Sequence, residues 1–406
     1  MEAVLVSHPH AAAFANGVAA AFERKRKLAM YISGVVASRT AFSGQLMNQI
    51  SGTTPVVRNR IVAGVRPTRV RSLAPVELAA RLVARALGVT NRPTSRYDTM
   101  FVSHDRAVEL LAWPRRTDMV YAYEDAALRT FVRAARRGMA RVWDLPLPHY
   151  STLERMWLDE LARWPGAHGL DPPSPIEPEW KKRRKDAELG LATAVSVAST
   201  YTRRSLEELG VKIPIVVTPY GFPVETFQPK QHVNDGPFTV LAVGTQDLRK
   251  GTPYLLEAWK KAGLKDARLS LVGRINLSTS FLSSYAGLFE HVPHAANAEL
   301  GEIYRGADLL MFPTLGDGYG LVIQESMSCG TPVVTTACGG GPESIRDGET
   351  GWIVPPRNID ALVERLRFAA SNRDKVFQIG RAARARAETW TWAMAGEALV
   401  KALARL

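Results

Sequence analysis

The chain has 406 residues, of which 46% are hydrophobic and 22% charged, a composition typical of a soluble globular protein with two domains. It contains no run of 18 apolar residues and no basic start followed by a long apolar core, so we expect neither a transmembrane helix nor a secretory signal. The two cysteines, Cys329 and Cys338, are too few for a disulfide framework or a four-ligand zinc site, which favours a reduced, cytoplasmic protein.

The formal net charge of +13 is distributed unevenly. The first 220 residues carry +12, whereas the remaining residues carry +1, so the first half should meet an anionic partner. Five arginines crowd one stretch before the predicted helix Pro75–Leu87. They form a solvated surface, or they dock to anionic lipid headgroups or to a phosphorylated or acidic glycan. These residues are Arg58, Arg60, Arg66, Arg69 and Arg71.

Strands and helices alternate through the first half of the chain, which predicts a parallel sheet in an α/β domain. A histidine, His149, follows the strand Ala140–Asp144, and His8, His10 and His104 also follow strand-like runs. The basic run Lys181–Lys185 opens a helix, and a nucleic-acid interpretation of such a run is weak. The Pro/Gly-rich stretch Pro219–Pro237 predicts a linker. The other predicted strands are Ala3–Ser7, Leu28–Ser33, Asp118–Tyr123 and Thr193–Ser199.

The second half opens with a strand, Phe238–Val243, followed by the loop Gly244–Gly251 and the helix Pro253–Ala262. A basic loop bounded by glycines at the start of a helix is a suitable cradle for a diphosphate, because backbone N–H groups and the helix dipole both favour anions. The alternative is a surface loop with exposed cations. The next predicted strand, Leu269–Gly273, is followed by Arg274.

The most informative stretch has three glycines within five residues, Gly316–Gly320, between a buried strand and a helix. The strand is Asp308–Pro313, and the helix is Leu321–Cys329. Such a loop lies at the carboxyl end of a strand and faces the positive end of the helix dipole, where α/β sheets bind anions. Glu325 lies about one turn into the helix, and its carboxylate suits a ribose diol because it accepts from both hydroxyls.

This stretch resembles the Glu–seven residues–Glu signature of retaining glycosyltransferases of family 4. The matching residues are Asp317-Gly318-Tyr319-Gly320-Leu321, Glu325-Ser326-Met327-Ser328, Gly330 and Pro332-Val333-Val334. Asp317 replaces the first glutamate of the family pattern. In the loop Gly244–Gly251, Lys250 and Gly251 also match the family, whereas Thr245 replaces its arginine and Arg249 supplies the missing charge.

The resemblance implies the GT-B fold, in which two Rossmann-like parallel-sheet domains face each other across a cleft. It assigns residues 1–220 to an acceptor domain and residues 221–390 to a nucleotide-sugar donor domain. Residues 391–406 then form a C-terminal helix that packs back on the first domain.

The resemblance also implies the roles of individual residues. His149 would contact the donor sugar near the reaction centre, Asp317 would bind sugar hydroxyls, and Lys250 would stabilise the leaving diphosphate. Configuration would be retained, no cofactor would be needed, and no metal ion would be required, since the sequence has no metal motif. The predicted donor-binding residues are Gly244, Thr245, Arg249, Lys250, Gly251, Arg274, Asp317, Gly318, Tyr319, Gly320, Leu321 and Glu325.

The sequence therefore predicts a hexosyltransferase that uses a nucleoside-diphosphate sugar and a glycan or glycolipid acceptor, as in cell-envelope or exopolysaccharide biosynthesis. We expect a cytoplasmic location, with the basic half peripheral on the membrane. One alternative is another sugar-nucleotide enzyme of this fold, such as a synthase or an epimerase. Another is a non-catalytic protein that binds membrane or nucleic acid. The stretch from Arg58 to Arg71 contains no aromatic residue for base stacking, which argues against nucleic acid.

Overall fold

The computed structural model describes residues 1–10, 12–34, 62–86, 93–169 and 176–406. It contains two parallel sheets of seven and six strands. The first sheet has the order β3-β2-β1-β4-β5-β6-β7 and the second the order β10-β9-β8-β11-β12-β13. Two parallel-sheet domains of this kind form the GT-B architecture, so the predicted fold class is confirmed.

The first sheet lies within the first 217 residues, and its five longer strands carry buried apolar side chains on both faces, as a helix-covered parallel sheet requires. The edge strands β3 and β7 are three residues long, contain no buried residue and were not predicted. The strands are β1 Val4–His8, β2 Leu28–Ser33, β3 Val70–Ser72, β4 Met119–Tyr123, β5 Ala140–Leu145, β6 Ala194–Val197 and β7 Ile215–Val217.

Seven α-helices of the described residues accompany the first sheet. Helices α2, α3, α4 and α6 cover one face of this sheet, and α1 covers the opposite face. The helices are α1 Ala13–Arg24, α2 Ala74–Ala86, α3 Pro93–Leu110, α4 Leu128–Arg136, α5 Tyr150–Arg163, α6 Glu179–Leu191 and α7 Thr200–Glu207.

One expectation for this part of the chain is wrong. His104 does not follow a strand, because it lies inside α3. In α2, the apolar side chains of Leu82 and Val83 are 66% and 50% exposed, whereas Glu77 and Ala80 are buried. Amphipathic spacing locates the apolar face of a helix, but it does not show which face the rest of the protein covers.

The second sheet lies between residues 238 and 353 and follows the predicted strand–loop–helix order. The short helix α9 and the helix α13 were not predicted. The strands are β8 Phe238–Val243, β9 Ala267–Val272, β10 Glu290–Val292, β11 Leu309–Phe312, β12 Val333–Thr335 and β13 Trp352–Ile353. The helices are α8 Thr252–Ala262, α9 Thr279–Ser283, α10 Asn297–Gly306, α11 Leu321–Ser328, α12 Gly341–Ser344, α13 Ile359–Ser371, α14 Arg373–Glu388 and α15 Trp392–Leu403.

The last helix, α15, returns to the first domain as the resemblance implied. Leu399, Val400 and Leu403 join the apolar core on the α1 face of the first sheet. No helix among the described residues is long and apolar enough to cross a membrane.

The packing of α1 against α15 generates a stability prediction. A Cβ atom at Gly396 would lie 2.5 Å from the Cβ of Ala21, whereas a Cβ at Gly190 in α6 would meet nothing within 4 Å. Both glycines are helical, so the propensity gain of a change to alanine is similar at both positions and cancels in the comparison. We expect Gly396→Ala to lower the free energy of unfolding by about 1–3 kcal/mol relative to Gly190→Ala, because overpacking forces the helices apart. Urea unfolding of the two variants measures this difference. Equal stabilities would contradict the close helix contact.

Candidate active site

The glycine loop after β11 is held against the first domain. A Cβ atom at Gly318 would lie 1.6 Å from the carbonyl oxygen of Pro146, in the loop after β5. Gly320 has φ +90°, a conformation that favours glycine, and no side chain of the described residues caps the helix that begins at Leu321. The amide of Ile323 donates to the carbonyl of Gly320 at 2.9 Å, so the amides of Leu321 and Val322 are the ones suited to an anionic ligand at the carboxyl edge of the second sheet.

Asp317, in this loop, bonds directly to the predicted phosphate-binding lysine. The ammonium group of Lys250 donates to Oδ2 of Asp317. The Nη1 atom of Arg249 lies 3.9 Å from Oδ1 of Asp317 and donates to the carbonyl of Gly316 at 2.8 Å. Burial alone would raise the pKa of the Asp317 carboxyl, but the two cations outweigh it and hold that pKa below its ordinary value. Asp317 is thus an ionised carboxylate between two cations.

The loop after β8 reaches this cluster because it packs on the loop after β11. Gly251 has φ +70°, and a Cβ there would lie 2.1 Å from the carbonyl oxygen of Pro313. The amide of Leu315 donates to the carbonyl of Arg249 at 2.8 Å, which ties the two loops together. The Lys250 amide is occupied, since it donates to Oδ1 of Asp247 at 2.8 Å. The Lys250 backbone amide is therefore not free for a diphosphate, and its ammonium group is paired with Asp317 in the absence of a ligand.

The other predicted donor residues of the second domain lie in the loops that follow β8 and β9 and in α11. Gly244, with φ +116°, and Thr245 follow β8, and Arg274 follows β9 with an exposed side chain. Glu325 is half-buried, and its Oε2 accepts a hydrogen bond of 2.8 Å from the hydroxyl of Tyr304. Burial raises the pKa of the Glu325 carboxyl. The sequence analysis missed Tyr304, which lies at the end of α10 and orients this carboxylate.

His149 lies on the first-domain side, at the N-terminus of α5. It is 3% exposed, and its backbone amide donates to Oγ of Ser205 at 3.0 Å. Its Nδ1 accepts from the amide of Ser151, so the ring proton belongs on Nε2, which has no hydrogen-bond partner in the described part of the chain. Burial lowers the pKa of His149 to about 4. The imidazole is therefore neutral near pH 7 and presents an N–H donor.

The two domains meet through the N-terminus of α7. Oγ of Ser199 donates to the carbonyl of Gly318 at 2.6 Å. The amide and the hydroxyl of Thr200 both donate to Oε1 of Glu343, each at 2.7 Å. A serine before a helix is a recognisable N-cap signal, but nothing in the sequence indicates that this cap also holds the other domain. Ser199, Thr200 and Glu343 are consequently site residues that the sequence analysis missed.

The other three candidate histidines, His8, His10 and His104, lie near the carboxyl end of β1. Oγ of Ser7 lies 3.0 Å from Nε2 of His104, and the rings of His8 and His10 are 4.6 Å apart. Burial lowers the pKa of His104 to about 4 and that of His8 well below its usual value. His8 and His104 are therefore neutral at neutral pH and contribute no positive charge to the cleft.

The basic run Lys181–Lys185 is not an open cationic surface. Lys181 lies 2.9 Å from Asp98 and 3.2 Å from Asp125. Lys185, which is 5% exposed, lies 3.0 Å from Glu124 and 2.8 Å from Glu177. Buried lysines require such partners, so the charges of Lys181 and Lys185 are neutralised by neighbouring carboxylates.

The described residues contain no group of three or more His, Cys, Asp or Glu side chains that could hold a metal ion. The positive groups that face the glycine loop are the side chains of Lys250 and Arg249. Together with the start of α11, they form a positively charged edge whose chemistry suits a phosphate-bearing ligand.

Part of this chain matches a known protein family. Residues 223–386, less than half of the chain, match the family model of glycosyl transferases group 1. The D-inositol 3-phosphate glycosyltransferases of Mycobacterium bovis and Mycobacterium tuberculosis are 36% identical to this chain over 118 residues. That alignment covers 28% of this chain and 24% of each relative, so the match spans about a quarter of the relatives' length.

Solved structures resemble the whole chain. Sucrose-phosphate synthase from Thermosynechococcus elongatus is 16% identical with a TM-score of 0.66, covering 100% of this chain and 99% of that protein. HepE from Anabaena, solved with UDP-glucose, is 14% identical with a TM-score of 0.62, and both chains are covered completely. These likenesses show that the chain has the GT-B fold, and residues 223–386 are similar to glycosyl transferases group 1.

The buried His149 generates a pH prediction. Its pKa of about 4 in the folded protein lies below the unfolded value of about 6.5, so only the unfolded state takes up this proton as the pH falls between these values. This histidine therefore costs about 3 kcal/mol of stability between pH 6.5 and pH 4. We expect His149→Gln to reduce the loss of stability over that range, measured by urea unfolding at several pH values. Changing the exposed His232 to Gln should not alter it. An unchanged profile for His149→Gln would show that the imidazole is not buried.

Proposed function

We propose that this chain is a glycosyltransferase that moves a sugar from a nucleoside-diphosphate sugar to an acceptor in the cleft. The observation that carries the proposal is the cluster of Asp317, Lys250 and Arg249 beside the glycine loop. It lies within the residues that match glycosyl transferases group 1. It also combines cations for a diphosphate with a carboxylate for sugar hydroxyls, which are the two parts of such a donor.

The chemistry follows from the charges that develop during transfer. The bond between the anomeric carbon and the diphosphate oxygen breaks, and Lys250, Arg249 and the first amides of α11 stabilise the departing negative charge. Binding of the diphosphate draws Lys250 away from Asp317, whose carboxylate then accepts from sugar hydroxyls. The Nε2–H group of His149 donates to the sugar from the first-domain side.

We further propose that the anomeric configuration is retained. The acceptor oxygen bonds to the anomeric carbon on the face that the diphosphate leaves, and the acceptor proton passes to the departing phosphate oxygen. The proposed route needs no covalent nucleophile, because the Asp317 carboxylate, which pairs with Lys250 in the free protein, is occupied by sugar hydroxyls in the proposed complex. Lys250 and Arg249 meet the leaving group, so the proposed reaction requires no metal ion.

The donor that we propose is a nucleoside-diphosphate hexose. UDP-glucose is bound by HepE, which shares the fold, and the relatives act on an inositol phosphate by name. For this chain we propose a glycan or glycolipid acceptor of cell-envelope or exopolysaccharide synthesis.

The first functional prediction concerns Glu325. We expect Glu325→Ala to abolish transfer, because the donor's ribose hydroxyls lose their acceptor, at a cost of about 1–3 kcal/mol per unpaired group. The measurement is turnover with the donor chosen from a thermal-shift panel of UDP-, GDP- and ADP-sugars, since a ligand that binds only the folded state raises the melting temperature.

Tyr304→Phe is the matched control, because it removes only the hydroxyl that bonds to Glu325. It should retain measurable transfer, and both variants should unfold cooperatively. Turnover close to that of the wild type for Glu325→Ala would contradict the ribose assignment. All assays follow dialysis against EDTA, and a loss of wild-type activity that one divalent ion restores would overturn metal independence.

We also propose that the first domain docks reversibly on anionic membrane at the cytoplasmic face. Arg66 and Arg71 are exposed, and Arg69 lies between them in the chain, although Arg66 also pairs with Glu23. Arg58 and Arg60 lie outside the described residues. The neighbouring helix α2 exposes Leu78, Leu82 and Val83. Apolar side chains beside a basic stretch are typical of a surface that rests on anionic lipid.

The membrane prediction is tested with liposomes. Each basic group near an anionic surface contributes about 1 kcal/mol, and salt at physiological strength limits its reach to about 8 Å. We expect co-sedimentation with phosphatidylglycerol liposomes but not with neutral ones, weakening steeply as salt rises. Changing the five arginines of residues 58–71 to glutamine should abolish it. The control changes five exposed cations of the second domain to glutamine, and this variant should still bind; the residues are Lys260, Lys265, Arg268, Arg346 and Arg381.

A wild-type protein that stays in the supernatant with anionic liposomes at low salt would contradict membrane docking. Equal losses in the two variants would show that net charge alone, and not the surface around α2, holds the protein on lipid.

A further inference from the structure

Helix α5 precedes the linker in sequence, yet its apolar face packs on the second domain. Met156 is 6% exposed and belongs to the same core as Leu255 of α8 and Leu269 of β9. Other apolar side chains from the helix and its end are packed against this core. They are Leu153, Trp157, Leu161 and Trp164.

A fully buried carboxylate fixes the far end of this helix to the second domain. Glu160 is 0% exposed. Its Oε2 accepts a hydrogen bond of 2.7 Å from the hydroxyl of Tyr254, in α8, and its Oε1 accepts one of 2.6 Å from Nε of Arg357. Both oxygens are thus satisfied by residues of the other domain, which a carboxylate needs when it is removed from water.

The chain beyond α5 continues along the second domain. The amide of Ser278 donates to the carbonyl of Ala167 at 2.9 Å, and the amide of Gly169 donates to the carbonyl of Asn276 at 3.2 Å. His168 and Leu277 form an antiparallel bridge between these two bonds. Three consecutive residues of the first half therefore pair with the segment that follows β9.

The start of α5 is held by the first domain and by the glycine loop. The amide of His149 bonds to Ser205, and Glu154 lies 3.0 Å from Nζ of Lys182. A Cβ atom at Gly316 would lie 3.0 Å from Cδ2 of Leu153. The helix thus contacts the first domain at one end, the second domain at the other and the donor loop in between.

We propose that α5 is a rigid strut between the domains and that Glu160 is a positioning residue, which holds His149 at the donor loop by anchoring the far end of the strut. Eleven residues separate His149 from Glu160, about 16 Å along a helix, so Glu160 acts through the helix and not by contact. The catalytic part of this inference rests on the proposed glycosyltransferase function. The anchoring itself does not.

The anchoring is tested by hydrogen exchange on the full chain. Glu160→Gln removes the charge that holds Arg357, and Tyr254→Phe removes the other bond while leaving the carboxylate in place. The matched control is Asp159→Asn, because Asp159 is next in sequence, has a side chain that is 56% exposed and lies 3.7 Å from the same arginine. We expect amides of residues 150–163 to exchange at least tenfold faster in the first two variants and within twofold of wild type in the control. Exchange in β4 should stay unchanged in all three.

The positioning role is tested by a double-mutant cycle. Glu160→Gln should lower turnover at least tenfold while the KM for the nucleotide sugar stays within twofold, since Lys250 and Arg249 are untouched. In a His149→Gln background the same change should lower turnover less than twofold further, because the residue that it positions is gone. Independent, multiplying losses would overturn the positioning role.

The hydrogen-exchange and kinetic experiments distinguish a failure of the strut from a failure of the proposed function. Unchanged exchange over residues 150–163 in both anchoring variants would overturn the strut, whatever the activity of the protein. Faster exchange in a protein that transfers no sugar from any nucleotide donor would leave the strut in place and refute the proposed function.

Discussion

The close contact between the two domains depends on Gly318, because only a residue without a side chain fits there. Gly318 packs so closely on the carbonyl oxygen of Pro146 that any larger residue would separate the carboxyl edge of the second sheet from that of the first. Because parallel strands bring their carboxyl ends to one edge, this contact sets the loop that follows β11 beside the loop that follows β5. The relation between His149 and Asp317 depends on that close approach, and so does the cap that Ser199 places on the Gly318 carbonyl.

Several positively charged side chains of this protein are paired with carboxylates, so the net charge does not show where positive charge is available. The large positive balance of the first half suggested a cleft that attracts anions, yet Lys181 and Lys185 lie among carboxylates, and Arg66 pairs with Glu23. The positive potential at the donor site instead comes from Lys250 and Arg249, in the half of the chain that is almost neutral. The net charge of a domain therefore bears on its solubility and its association with other molecules, whereas the position of two individual cations bears on the proposed chemistry.

Local pattern predicted much of the second domain because each signal acts within one strand–loop–helix unit. The glycines between β11 and α11, the Lys250–Gly251 turn before α8 and Glu325 one turn into its helix all lie where spacing placed them. Long-range contacts carried no such signal. The sequence did not show that Lys250 bonds to Asp317, that Tyr304 bonds to Glu325, or that Glu343 reaches Thr200, because each pair is distant in the chain. The exposure of Leu82 was missed for the same reason, since the covering of a helix face is decided by tertiary packing.

Helix α5 belongs to the first domain by its place in the sequence, yet its apolar face packs on the second domain. Its polar first turn bonds to α6 and α7, as a first-domain helix should, while its apolar stripe completes the core beneath α8. If the cleft opened only by a hinge at the Pro/Gly-rich linker, the hydrogen bonds of Glu160 to Tyr254 and Arg357 would have to break at each opening. Exposing a carboxylate and a guanidinium to water offsets part of that loss, but the apolar side chains of α5 would lose their cover without compensation.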